Sequence, residues 1–435
     1  MKRVLIISPY FPPTNAADMQ RVRMSLPYFQ LHGWEPEVVT VDDKYSDMVK
    51  DDLLLQSIPA DITIHKIKAL NKSCTSKLGL GSIALRSIPY YRKMVNQLLK
   101  SKTYHLIYFS TTQFPVCILG PYWKKKFNIP YVIDMQDPWH SNYYQDKPKE
   151  QQPSKYWLSY RLNKYMEPIA MKKVDGLISV SDHYIYDLKA RYIELESVPS
   201  ATITFGAFEP DLKIAFDNQT RFKSLLESRF KNIVYVGRGG ADMQKAIAPV
   251  FEALKRGLNT QPELFGKLRF YFIGTSYAPS GKRVATILPI AKQYGVEDSV
   301  IEITARISYY HTLLTLHQAD ALFIPGSDDP KYNASKIYPY LLAQKPLLAI
   351  FNRNSNAVAI LNECSANATI LTFGEESNNL AGTLYKILED WANNLFKPIA
   401  LSKKIEKYSA EKLTGKQTEL FNQAIKYFAT QNTDA

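Results

Sequence analysis

The chain alternates short apolar runs with longer segments of helical period, and this alternation limits the folds open to it. The first series of strand-length runs covers residues 3–8, 37–41, 105–110, 131–134 and 176–180. The segments of helical period between and after them cover residues 19–32, 92–102, 114–127, 154–173 and 182–191. Strands that alternate with helices form parallel sheets with helices on both faces. The first 200 residues are therefore predicted to form one doubly wound α/β domain.

A second series of the same kind begins after Pro199. Its strand-length runs cover residues 232–236, 268–273, 301–304, 321–324, 347–350 and 369–371, and its helical segments cover 243–258, 283–294, 309–317, 335–343 and 380–395. The sequence thus predicts Rossmann-like domains at 1–200 and 201–400, with a C-terminal helix in 401–435 that packs back on the first domain. Ligands of such folds bind at the carboxyl ends of the strands, so we expect the site in a cleft that the two domains face.

Cysteine usage and hydropathy exclude several classes of protein. The three cysteines are widely spaced and odd in number, which fits neither a disulfide framework nor a zinc site. The apolar run at the start is too short for a signal peptide. A membrane-spanning helix needs about 18 consecutive apolar residues, and the sequence has no run of that length. A cytoplasmic protein is expected, without a bound metal or cofactor.

Positive charge is concentrated in the first half of the chain. The net charge is +13, and no acidic residue lies between Asp61 and Asp134, where twelve lysines and arginines occur. Such a region attracts polyanions. Because no nucleic-acid recognition motif is present, we favour an anionic membrane surface, met by Trp123, Phe127 and the three lysines between them. The alternative is a solubilising helix end with Trp123 packed inward.

The first strand opens into a proline-rich loop, residues 9–21, that leads to a helix start, where free amides favour an anion. It has no G-x-G-x-x-G pattern, which disfavours a dinucleotide dehydrogenase. The loop resembles that of GT-B retaining glycosyltransferases of family 4, although it lacks their glycines. The resemblance places Asn15 and Arg21 on the acceptor side.

An acidic segment, residues 131–139, is similar to the acidic loop of the same family. The resemblance implies that Asp134 and Asp137 orient the acceptor hydroxyl. Asp137 alternatively serves as a cap or turn residue before Pro138.

In the second half, residues 234–240 form a strand that ends in a glycine-rich turn with Gly237 and Arg238, and Lys245 follows in the next helix. A fixed arginine and a nearby lysine stabilise the charge that a diphosphate gains when it leaves an anomeric carbon. Family 4 enzymes use a similar pair. The alternative is that both side chains are simply solvated.

The densest resemblance runs through residues 319–327, 333–341 and 344–350, which are similar to the family's donor-binding helix and the strands beside it. Ser335 would cap this helix, with Lys336 directed at the diphosphate. Pro339 stands where the family has the glutamate that holds the donor ribose. Asp328 and Asp329 are candidates to bind the ribose in its place. The alternative is that they belong to an ordinary polar loop.

Together these features predict an α/β enzyme of GT-B architecture that moves a hexose from a nucleotide diphosphate sugar to a lipid-linked or glycan acceptor. The donor is a substrate, so no cofactor is expected, and the resemblance implies retention of configuration. Cell-surface polysaccharide or glycoconjugate synthesis is the expected setting. The alternative, favoured by Pro339, is a catalytically silent GT-B protein that acts as a scaffold in glycan assembly. Nucleic acid is not an expected partner.

Overall fold

The computed structural model of the chain describes residues 1–76, 81–142, 145, 149, 152, 156–276, 278, 281–328, 337–373 and 380–433. These residues form two compact units. Unit 1 comprises Met1–Gly206 together with Tyr408–Ala435, and unit 2 comprises Ala207–Lys407. The C-terminal segment therefore belongs to unit 1, and the chain passes between the units close to residue 206 and again close to residue 407.

Unit 1 is built on a seven-stranded parallel sheet in the order β3-β2-β1-β4-β5-β6-β7. Its strands are β1 (Lys2–Ile7), β2 (Trp34–Val41), β3 (Thr63–Ile67), β4 (Leu106–Ser110), β5 (Tyr131–Met135), β6 (Gly176–Ser179) and β7 (Ser200–Thr202). Its α-helices are α1 (Gln20–Ser25), α2 (Lys72–Thr75), α3 (Ile83–Ser101), α4 (Leu119–Phe127), α5 (Tyr156–Met171), α6 (Asp182–Arg191) and, at the C-terminus, α15 (Ala410–Thr433).

Both faces of this sheet are buried, which explains why its central strands read as continuous apolar runs. Along β1, Leu5 and Ile7 join the core on one face, whereas Val4 and Ile6 join the core on the other. Helix α15 covers the second face, where the ring of Phe421 lies 4.9 Å from that of Tyr108 and 5.4 Å from that of Trp34. The C-terminal helix is thus part of the unit 1 core.

Unit 2 contains a six-stranded parallel sheet in the order β10-β9-β8-β11-β12-β14 and a short antiparallel pair, β13 with β15. Its strands are β8 (Lys231–Val236), β9 (Leu268–Ile273), β10 (Val300–Ile303), β11 (Ala321–Pro325), β12 (Leu347–Asn352), β13 (Ser365–Ala366), β14 (Thr369–Phe373) and β15 (Ala400–Leu401). Its α-helices are α7 (Pro210–Asp217), α8 (Gln244–Thr260), α9 (Pro262–Phe265), α10 (Leu288–Tyr294), α11 (Tyr309–Gln318), α12 (Ile337–Ala343), α13 (Asn356–Cys364) and α14 (Leu380–Ala392). The predicted α/β class with two parallel sheets is confirmed.

Several element boundaries differ from the sequence predictions. The helix predicted over residues 19–32 is wrong beyond Ser25, because Pro27 has no N–H to donate and the chain continues as two 3-10 turns. The helix predicted from residue 283 begins at Leu288, where the carboxylate of Glu302 accepts hydrogen bonds from the amides of Thr286, Ile287 and Leu288. Ser181 stands at the N-cap position of α6 but makes no capping bond with its side chain.

Candidate functional site

The end of β8 in unit 2 places a glycine, Gly237, close against the side chain of Tyr235. The amide of Gly237 donates to the carbonyl of Ile273 in β9 at 2.9 Å. A Cβ atom on Gly237 would lie 2.4 Å from the phenol oxygen of Tyr235. That phenol donates to the carbonyl of Arg238 at 3.0 Å, so the ring of Tyr235 supports the turn from below. The absence of a side chain on Gly237 therefore leaves room for the ring of Tyr235, and Arg238 follows directly after the strand.

The guanidinium of Arg238 forms a two-point ion pair with Asp242. Its Nη1 lies 2.9 Å from Oδ1 and its Nη2 lies 2.5 Å from Oδ2. The hydroxyl of Ser327, which follows β11, donates to Oδ2 at 2.6 Å. These contacts, the Arg238 pair first, hold the pKa of Asp242 below its ordinary value despite partial burial. Arg238 is thus fixed in orientation while part of its side chain stays exposed.

The loop that follows β11 is tied to the same turn. The amide of Asp328 donates to the carbonyl of Asp242 at 2.8 Å, and the side-chain amide of Asn352, at the end of β12, donates to the carbonyl of Asp328 at 3.1 Å. The side chain of Asp328 is exposed. The carboxyl ends of β8, β11 and β12 thereby converge on one polar edge of the unit 2 sheet.

Lys245 is the second residue of α8, and its side chain is exposed. It lines an open groove of 470 Å³ together with Glu252 of the same helix, Asn352 and Phe373. Within the described part of the chain, its ammonium group has no hydrogen-bond or ion-pair partner. Lys245 is therefore not part of the Arg238–Asp242 ion pair. It lines the same groove as Asn352, whose side chain belongs to the polar edge of the sheet.

A buried tyrosine completes the end of β8. The ladder between β8 and β11 extends only to Val234. Beyond it, the hydroxyl of Tyr340 in α12 accepts from the amide of Val236 at 2.8 Å and donates to its carbonyl at 3.1 Å. Tyr340 is 2% exposed. On the β11 side, one side chain therefore takes the place of a strand neighbour for Val236, which still pairs with Ile273 of β9 on the other side.

Replacing Tyr340 with phenylalanine should destabilise unit 2. The change leaves a buried amide and a buried carbonyl of Val236 without their partner, which costs about 1–3 kcal/mol. Denaturant unfolding of the full chain measures this loss, and Tyr294→Phe, at a partly exposed tyrosine of the same unit, is the matched control. An unfolding free energy equal to that of the natural chain would contradict the role given to this hydroxyl.

In unit 1, Arg21 and Asp134 form a buried ion pair at the carboxyl ends of the strands. The Arg21 Nε lies 2.6 Å from Asp134 Oδ2, and the two side chains are 2% and 0% exposed. The same oxygen accepts from Ser110 at 2.9 Å and from Gln136 at 2.9 Å. Arg21 also donates to the carbonyl of Ile203 at 2.6 Å. In this arrangement Asp134 and Arg21 hold the edge of the sheet together rather than facing solvent.

Two further aspartates flank this pair. Asp18, two residues before α1, is buried, and its Oδ2 accepts from the hydroxyl and amide of Thr112 and from the hydroxyl of Thr111 at 2.9–3.2 Å. Burial raises its pKa. Helix α1 has only six residues, and the anion site expected at its start stays a prediction.

Asp137, unlike Asp134, is exposed at its side chain. Desolvation by the surrounding protein, followed by the negative charge of Asp18, raises its pKa. Asn15 is half-buried, and its backbone amide donates to the carbonyl of Val49 at 2.8 Å. Of the two aspartates predicted to orient the acceptor, Asp137 is therefore the exposed residue and Asp134 the enclosed one.

The aromatic and basic segment of α4 does not form the predicted interfacial surface. Trp123 has no exposed area, and its indole N–H donates to Asn96 at 3.1 Å. The ammonium of Lys124 lies 2.6 Å from Asp175, and only Lys125 and Lys126 are exposed. The prediction that Trp123 lies in a headgroup layer is wrong, because its ring fills the core beneath α4. No helix in the described part of the chain has the length and hydropathy needed to cross a membrane.

The sequence and the structure of the chain were compared with those of known proteins. No family model and no curated protein matches the chain. Over the full length of both chains, the structure is similar to that of HepE from Anabaena in complex with UDP-glucose, at 13% identity and a TM-score of 0.50. TarM from S. aureus, in a complex that includes UDP, is similar at 10% identity and a TM-score of 0.54 over 97% of this chain and all of that chain.

A third similar structure is the trehalose-6-phosphate synthase of E. coli bound with UDP-2-fluoro glucose, at 12% identity and a TM-score of 0.54. It covers 97% of this chain and 99% of that chain. The chain has the GT-B fold. At these identities the likeness establishes the fold, and the two parallel sheets of seven and six strands agree with it.

Within this GT-B chain, the structure brings three of the predicted donor-side residues, Gly237, Arg238 and Asp328, to one edge of the unit 2 sheet. Ser335, Lys336 and Asp329 lie outside the described residues. Sequence reasoning missed Asp242 and Tyr340. Asp242 had a local signal, since it lies four residues after Arg238 and carries the opposite charge. Tyr340 had none, because its partner is the backbone of a distant strand.

Proposed function

We propose that this chain is a glycosyltransferase that moves a hexose from a nucleotide diphosphate sugar to a lipid-linked or glycan acceptor, with retention of configuration. The observation that supports it most is the guanidinium of Arg238, fixed by Asp242 directly after the glycine turn of β8. The fold adds weight, since similar solved structures contain UDP or UDP-sugars. The proposal includes a cytoplasmic location and a part in cell-surface polysaccharide or glycoconjugate synthesis.

The chemistry of the transfer explains why a fixed cation is needed. When the bond at the anomeric carbon breaks, the departing diphosphate gains negative charge, and a preorganised guanidinium stabilises that charge without reorganising. Arg238 supplies this group, and the exposed ammonium of Lys245 is the second cation in the proposal. With the leaving group stabilised in this way, the proposal requires no protein nucleophile.

Asp137 is the proposed acceptor-orienting carboxylate. A raised pKa makes a carboxylate a better proton acceptor, provided that it stays ionised at the working pH. Asp137 is exposed and can therefore reach a sugar hydroxyl, whereas Asp134 is enclosed. In this proposal Asp137 contacts the substrate, whereas Asp134 supports the loop.

Binding and turnover assays test the function directly. Calorimetric titration with UDP, GDP and ADP should show one nucleotide that binds, and a ligand at about 100 times its dissociation constant should add about 2.7 kcal/mol of stability. Hydrolysis of the matching nucleotide sugar without acceptor then reports catalysis. Binding without hydrolysis or transfer would favour the silent scaffold, and absence of binding by all three nucleotides would contradict sugar transfer from a UDP, GDP or ADP sugar.

Restoring the missing glutamate should not improve donor binding. Pro339 is half-buried in α12 between the buried Tyr338 and Tyr340, and we propose that Asp328 contacts the hydroxyls of the ribose or sugar instead. Pro339→Glu should therefore leave nucleotide affinity unchanged, while Asp328→Ala should lower it about tenfold, the loss of one charge-assisted hydrogen bond. Calorimetry on both variants decides. A large gain for Pro339→Glu would identify a degraded site and favour the scaffold.

A further inference from the structure

Helix α5 of unit 1 carries large apolar side chains on its solvent side. Trp157 is 63% exposed, Tyr165 is 74% exposed and Ile169 is 52% exposed. All five tryptophans of the chain lie among the described residues, and the other four are at most 5% exposed. Scattered apolar residues on a surface are ordinary, but three on one helix, including the one exposed tryptophan, form a patch.

The same side of α5 is basic and has no acidic residue. Arg161 and Lys164 are exposed, as is Lys172, which directly follows α5 and whose amide donates to the carbonyl of Pro168. The guanidinium of Arg161 lies 5.8 Å from the ring centre of Trp157. The acidic residue of α5, Glu167, is 1% exposed and turned inward. There it accepts from Arg191, from the phenol of Tyr192 at 2.9 Å and from the amide of His140 at 2.9 Å. Its charge is therefore neutralised inside the protein and does not offset the outer cations.

Helix geometry brings these residues together. At 3.6 residues per turn, positions 157, 161, 164, 165, 169 and 172 fall within about one half of the helix circumference. We name this surface the α5 face: Trp157, Arg161, Lys164, Tyr165, Ile169 and Lys172. The result is a patch in which apolar rings alternate with cations.

We infer that the α5 face docks this protein on an anionic lipid bilayer. Tryptophan and tyrosine rings lie favourably at the boundary between headgroups and acyl chains, while lysine and arginine meet lipid phosphates. A second copy of the chain is a poorer occupant, because a two-fold interface through this face would oppose Arg161, Lys164 and Lys172 with their own copies. The docking goes beyond the proposed sugar transfer and does not depend on it.

Vesicle binding by the full chain tests the docking. Vesicles of phosphatidylcholine with phosphatidylglycerol should sediment the protein at low salt, vesicles of phosphatidylcholine alone should do so weakly, and salt should reduce the binding. Changing Arg161, Lys164 and Lys172 to serine should weaken partitioning about 100-fold, because each cation contributes about 1 kcal/mol, which is about fivefold. Changing Trp157 and Tyr165 to serine should weaken it about tenfold.

Controls separate this face from general charge. Lys397, Lys403 and Lys404 are exposed in unit 2, and changing all three to serine removes the same charge elsewhere. Changing Tyr186, which is 70% exposed on α6, to serine is the matched aromatic control. Both controls should bind vesicles like the natural chain.

The fluorescence of Trp157 gives a second, independent readout. Its emission should shift to shorter wavelength on anionic vesicles and be quenched by brominated acyl chains, and Trp157→Phe should remove the shift. No sedimentation of the natural chain at low salt, or equal losses in the unit 2 lysine control, would overturn the inference. So would a dimer in sedimentation velocity that Trp157→Ser dissociates while vesicles leave the emission unchanged.

Discussion

Arg238→Ala should lower the turnover of nucleotide sugar by about 100-fold or more, with the fold intact. The loss follows from removing one preorganised donor from the charge that develops on the leaving diphosphate, an effect of about 10²–10³ in rate. The side chain is partly exposed and Asp242 keeps its bond from Ser327, so the change should not unfold unit 2. Steady-state kinetics at saturating donor measure the effect.

Two further variants show whether the lost rate belongs to Arg238 itself. In Arg238→Ala the carboxylate of Asp242 is left facing the same edge, where its charge would repel a diphosphate. The double variant Arg238→Ala with Asp242→Asn removes that repulsion, and it should stay at least about tenfold below the natural rate if the guanidinium acts on the leaving group. Arg229→Ala, at an exposed arginine of the same unit, should be silent. Full activity of a folded Arg238→Ala protein would end the assignment.

Asp134→Asn should destabilise unit 1 by about 3–5 kcal/mol, the usual cost of leaving one member of a buried ion pair without its partner. The change keeps the shape of the side chain but removes the charge that faces Arg21, whose guanidinium is 2% exposed. It also puts an amide group at the place of Oδ1, which is buried without a hydrogen-bond partner in the part of the chain that the structure describes. Denaturant unfolding measures the loss.

A matched double replacement distinguishes an ion pair that stabilises from one that is merely costly to break. Arg21→Met with Asp134→Leu removes both charges, so it should lose less stability than Asp134→Asn alone. Asp217→Asn, which breaks the exposed pair with Lys213, should leave unfolding essentially unchanged. If nucleotide binding by unit 2 persists in folded Asp134→Asn protein, the effect is local to unit 1. An unfolding free energy unaffected by Asp134→Asn would contradict the structural role.

The strand predicted before Gly237 is present as β8, whereas the contacts around its end were not predicted. The apolar strand and glycines around Gly237 are local features, and a strand that ends in such a turn can be read from neighbouring residues alone. The hydrogen bond between Tyr340 and Val236 joins residues 104 positions apart, and no local sequence pattern at either residue predicts it. On the acceptor side, Asp134 and Asp137 read alike in sequence, yet one is enclosed and the other exposed.

The sequence by itself determined the two α/β units and most of their central strands, because a strand buried on both faces must be apolar along its whole length. It did not reveal the edge strands β3 and β7, whose residues are mixed or polar and mostly only partly buried, so that neither shows a continuous apolar run. Which charges stay free was decided by tertiary structure. Packing turned Trp123 into the core and Trp157 to solvent, and burial depends on neighbours that fold in from distant parts of the chain.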